Sequence, residues 1–166
     1  MVNRFVTAFL LALAACTPLH PDVSLARGVS LGKYRVIVVG RVSDATGYPF
    51  NYPIADSVRE RLAHDLIADG LTVVRTPADS AGPVLLVEST LQGFKSGALS
   101  TQLPTGMGTS RCTLSSELRD YRTGRHLGDI TASEVSSEDT QQMSPFALMM
   151  TCARMVAEAL HKQMKT

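Results

Sequence analysis

The chain is 166 residues long, with 16 basic and 15 acidic side chains and 45% hydrophobic residues. That length supports one domain with a real core and is short for two. The near-neutral balance, with no basic stripe, excludes an electrostatic footprint for nucleic acid.

The first residues read as an export signal. Arg4 supplies a positive charge, Phe5 to Leu13 is an apolar run broken only by Thr7, and Ala14 and Ala15 follow. This is the three-part layout of a secretory signal peptide. The run is well short of the roughly 20 apolar residues that a spanning helix needs. At its end, Leu13-Ala14-Ala15-Cys16 resembles the lipobox of bacterial lipoproteins. That resemblance implies a diacylglyceryl group on the Cys16 sulfur, cleavage before Cys16 and acylation of the new amino group. Two or three acyl chains hold a protein on a membrane stably where one does not. The alternative is a plain signal peptide with an incidental cysteine. Thr17, and not Asp, follows the cysteine. In enteric bacteria this resemblance implies the outer membrane, with the domain facing the periplasm.

The chain is thus expected to divide into a signal peptide (1–15), a tether (16–32) and one domain (33–166). The tether, rich in proline and glycine, shows no sustained period. Tyr34 to Gly40, a β-branched run between glycines, predicts a strand buried on both faces. The loop "SDATGYPFNYP" is rich in turn formers and aromatics, and Pro53 suits the first turn of a helix. Ile54, Val58, Leu62 and Leu66, with Ile67 beside them, form one stripe of an amphipathic helix that Gly70 ends. Leu71 to Arg75 and the run from Val84 to Phe94 return as strands.

Residues 95–110 form the longest stretch without a period. Loops of this length are uncommon unless functional or disordered. Leu99, Leu103 and Met107 on it either make a partner-contact surface or fold back onto the sheet edge. Residues 111–121 alternate, with Cys112, Leu114, Ser116 and Leu118 on one face, as a half-exposed strand does. A hairpin turn around Thr123-Gly124 leads to a partner strand, Leu127 to Ser136. A helix from Pro145 to about Lys162 closes the chain, with Met149, Cys152, Ala153, Val156 and Leu160 on its apolar face.

This order, β-α-β-β-β-β-α, predicts a two-layer α+β sandwich: a mostly antiparallel sheet with two helices on one face. Ser57 to Gly70, Val73-Val74, Val84 to Phe94, Gly106-Met107-Gly108 and Asp120 to Gly124 carry a wider likeness. With the lipobox, they make the chain resemble small bacterial outer-membrane lipoproteins of unknown function. It is more distantly similar to the lipopolysaccharide-assembly and curli-secretion lipoproteins.

Two cysteines remain beyond Cys16. Strand alternation and helical period both aim Cys112 and Cys152 at the core. In an oxidising compartment they are expected to form a disulfide, the alternative being two separate buried thiols. His20, His64, His126 and His161 lack a second ligand at metal spacing. Phosphate-loop, nucleophile-elbow and zinc-protease motifs are absent. The expectation is therefore no catalytic, cofactor or metal site. The reading is a non-catalytic, lipid-anchored periplasmic accessory or assembly protein of an envelope complex, partnered by the membrane through Cys16 and by that complex. The alternative is a carrier or chaperone for an amphiphile such as a lipopolysaccharide-like lipid, held on the uncovered sheet face, where Val84 and Leu86 permit an apolar patch.

Overall fold

The structure is a computed structural model that describes residues 20–77, 82–95, 110–136 and 144–166. The elements are β1 (Asp22–Leu25), β2 (Val36–Asp44), α1 (Ile54–Ala68), β3 (Thr72–Val74), β4 (Val84–Lys95), β5 (Ser110–Asp120), β6 (His126–Ser136) and α2 (Pro145–Lys165). The strands form one six-stranded sheet in the order β1-β6-β5-β4-β2-β3. β4, β5, β6 and β1 pair antiparallel in succession, while β2 lies parallel to both β3 and β4. The α+β sandwich read from the sequence is the observed architecture.

Both helices pack on one face of this sheet and share one core with it. Ile54, Val58, Leu62 and Leu66 of α1 are buried, as their spacing requires, and so are Met149, Cys152, Ala153, Val156 and Leu160 of α2. The sheet meets them with Ile37, Leu85, Val87, Leu91, Leu114, Leu118, Ile130 and Ala132. Ile67, read as flanking the α1 stripe, is 57% exposed. One residue beyond Leu66, it turns about 100° away from the buried line. α1 stops where the Gly70 N–H donates to the Ile67 carbonyl at 2.9 Å with Gly70 at φ +84°, a backbone setting that glycine tolerates best.

Three departures from the sequence reading are physical. The segment read as a tether contains β1, whose Val23 and Leu25 face the core opposite Ile130 and Gly128. Leu31 and Tyr34, between β1 and β2, are fully buried or nearly so at 0% and 1% exposed. β1 can lie so close because β6 has no side chain at Gly128. A Cβ there would collide with the Ser24 carbonyl oxygen and stand 2.8 Å from Leu25 Cα. β2 continues past Gly40 to Asp44 because its register with β4 shifts between Val39 and Val42. That bulge returns Val42 to the core side.

The third departure concerns the open sheet face. Val84 is 1% exposed and Leu86 is half-buried, with Val38, its partner on β2, 6% exposed, so the expected outer apolar patch is largely covered. The face beyond them is polar, with Thr113 Oγ1 and Ser133 Oγ 3.0 Å apart across β5 and β6. Within the described residues, no helix is long and apolar enough to cross a membrane.

Candidate functional site

Topology gathers several connections at one end of the sheet. β2 and β4 run parallel, so the β2–α1 loop leaves from the end at which β4 finishes, β5 starts and β6 finishes. The loop is built by its own side chains. Asp44 Oδ1 accepts from the Thr46 N–H at 2.9 Å and from Thr46 Oγ1 at 2.6 Å. Thr46 Oγ1 in turn accepts from the Tyr48 N–H at 3.2 Å. Gly47, at φ +68°, makes the reversal between them. The Ala45 N–H donates to the Leu91 carbonyl at 2.9 Å and pins the loop to β4.

This scaffold presents a line of aromatic rings. Tyr48 and Phe50 have centroids 4.7 Å apart, and Phe50 and Tyr52 are 5.7 Å apart, both tilted. Phe146 joins them from α2, edge-on to Tyr52 at 5.8 Å. Such offset and edge-to-face pairs are the geometries that ring quadrupoles favour. Ser144 caps α2, its Oγ accepting from the Ala147 N–H at 3.2 Å, and Pro145 occupies the first turn. These two features fix Phe146 at the helix start. Burial, followed by the neighbouring Tyr48, pushes the Tyr52 phenol above its usual range.

The rings line an open hollow of about 440 Å³ with Pro49, Asn51, Ser144 and Pro145. Among the described residues that line it, none is charged. Tyr48, at 38% exposed, and Phe146, at 43%, are two of the four exposed large hydrophobic residues among those described. An exposed aromatic cluster without charges is a contact surface in chemical character.

The predicted cysteine pair is brought together at this same half of the molecule. The expected disulfide is not formed in this structure: Cys112 and Cys152 are both fully buried free thiols, and the Cys152 Sγ–H donates to the Cys112 carbonyl oxygen at 3.7 Å. The neighbouring Cys152 side chain holds the Cys112 thiol down against the effect of burial. The same contact, reinforced by burial, pushes the Cys152 thiol far up. Cys16, and Leu99, Leu103 and Met107, lie outside the described residues.

A second hollow, of about 460 Å³, opens on the uncovered sheet face between Arg41, Ser43, Glu88, Thr90, Ser115 and Glu117. Nearby, Glu117 Oε1 pairs with Arg119 at 2.6 Å, and His126 Nε2 lies 3.1 Å from Asp129 Oδ2. Among the described residues no three His, Cys, Asp or Glu side chains are grouped to hold a metal.

No protein-family model matches the chain, and neither does any curated protein. Solved structures do share its fold. The PelC dodecamer of Paraburkholderia phytofirmans is 16% identical at a TM-score of 0.59, the match covering 85% of this chain and 97% of that one. A Xanthomonas campestris protein of family DUF330 is 12% identical at a TM-score of 0.54, over 86% of this chain and 91% of that one. A hypothetical protein of Chlamydia trachomatis is 12% identical at 0.55, over 78% and 98%. At these identities the likeness is one of fold.

The aromatic patch was half visible in the sequence. "YPFNY" stood out as aromatic, but Phe146 is far away in the chain, and only the meeting of the β2–α1 loop with the start of α2 makes the four rings one surface.

Proposed function

We propose that the protein is a lipid-anchored accessory or assembly protein of a bacterial envelope complex, non-catalytic, held on the periplasmic face of the outer membrane by acylated Cys16. The observation that carries this reading is the lipobox Leu13-Ala14-Ala15-Cys16 directly behind an export signal, followed after a few residues by a compact domain. The aromatic patch, whose described lining carries no charge, gives that domain a surface suited to contact. The fold is also one that forms a dodecamer in PelC, which fits an assembly role. In this reading the compartment's thiol oxidants take two electrons and two protons from Cys112 and Cys152 and leave a disulfide.

The amphiphile-carrier reading finds less support. The open sheet face that would hold an acyl chain carries Arg41, Glu88 and Glu117 around its hollow, and burying such charges beside hydrocarbon is costly.

The test is mild cross-linking of intact cells, followed by detergent extraction and sizing of the tagged full-length protein. A discrete species with fixed stoichiometry, holding several copies or one partner, is expected. A lipidated protein that runs only as a monomer would contradict the assembly role.

A further inference from the structure

We propose that the aromatic patch formed by Tyr48, Phe50, Tyr52 and Phe146 is the surface on which the domain rests in the headgroup region of its membrane. The proposal depends on the reading of Cys16 as the lipid anchor, and the direction of the chain leads to it. β1 pairs antiparallel with β6, with Asp22 opposite Thr131. From Thr131, β6 runs on to Ser136 at the end of the sheet that carries the patch. The chain ahead of Asp22 therefore leaves β1 toward that same end.

Its length is restrictive. Five residues separate Cys16 from Asp22, and the six Cα–Cα steps across them, fully extended, span at most about 20 Å. A domain held that closely, by a strand already aimed at the patch end, presents that end to the bilayer.

The chemistry of the patch agrees. Tyrosine and other aromatic side chains collect at the membrane–water boundary, where the ring body lies among apolar groups and the polar edge stays wet. The patch offers two phenols and two phenyl rings, and the residues beside them, Pro49, Asn51, Ser144 and Pro145, carry no charge to be desolvated. At the far end of the sheet, the β5–β6 turn displays Tyr121 at 42% exposed. Close to it stand Arg119 and Asp120, a charged setting that suits water.

The chain has no tryptophan, so one introduced indole reports its own surroundings alone. Full-length lipoprotein bearing Tyr48→Trp, Phe146→Trp or Tyr121→Trp is reconstituted on phosphatidylethanolamine–phosphatidylglycerol vesicles, with or without bromine on the acyl chains. The expected result is flotation of all three, with several-fold stronger bromine quenching at positions 48 and 146 than at 121. Flotation with equal quenching at the three positions would overturn the docking surface and leave the anchor standing. Failure to float would remove both. Blue-shifted emission at 48 and 146 before vesicles are added, unresponsive to brominated lipid, would place a second copy on the patch and overturn the proposal.

Discussion

At the residue scale, two pairs of polar side chains in the core behave differently. Ser89 and Ser116 are 4% and 0% exposed, face each other across β4 and β5, and hold Oγ atoms 2.8 Å apart. Replacing either by alanine strands the other hydroxyl and should cost about 1 to 3 kcal/mol, while replacing both should be close to neutral. Denaturant melts of the three variants check this, and additive losses would show that the hydroxyls act independently. For Cys112 and Cys152, oxidation closes a loop of 40 residues. In the chain-entropy model this stabilises by roughly 3 to 4 kcal/mol. Protein isolated from cells without reductant should therefore melt lower after reduction, whereas Cys152→Ala should melt alike with and without reductant.

Asp120 gives this scale its pH dependence. Its Oδ1 accepts from the Thr123 N–H and from Thr123 Oγ1, both at 2.9 Å, and Oδ2 accepts from Tyr34 Oη at 3.0 Å. The Thr123 backbone bond is the main reason its carboxyl titrates below the usual range, with burial opposing. Because the folded value is depressed, the stabilisation is complete above the unfolded value near pH 4 and is lost as pH falls through the folded one. Asp120→Asn should flatten the acid limb of a stability profile below about pH 4. An unchanged limb would assign it to other carboxylates.

At the scale of elements, periodicity was a good guide wherever an element is long enough to show it. α1, α2, β4, β5 and β6 all stand close to where their apolar spacing put them, because each buries one face on a common core. β1 escaped for the opposite reason: four residues with two apolar positions carry no period, and the strand exists only because β6 offers a partner and a bare backbone at Gly128. Gly128→Ala should accordingly displace β1 and destabilise the domain by roughly 1 to 3 kcal/mol. Hydrogen exchange at Val23 to Ala26 should accelerate while that of α1 is unaffected, and unchanged protection would show that β1 does not depend on this close approach. The patch was partly hidden because a contact between a loop and a distant helix start leaves no local pattern.

At the scale of the whole molecule, the sheet has a near end and a far end. The aromatic loop and the start of α2 share the first, toward which β1 points back from Asp22, while the Asp120–Arg125 turn occupies the second. With Cys16 as the proposed lipid anchor, this polarity would tie the anchor to the surface chemistry of the domain. The central claim, that the protein is anchored by lipid at Cys16, is tested most directly by intact-mass and peptide mass spectrometry of the protein extracted from membranes. The account predicts a mature chain beginning at a Cys16 that carries a thioether-linked diacylglyceryl group, with residues 1–15 absent. A mature chain starting at any other residue, or an unmodified Cys16, would contradict it.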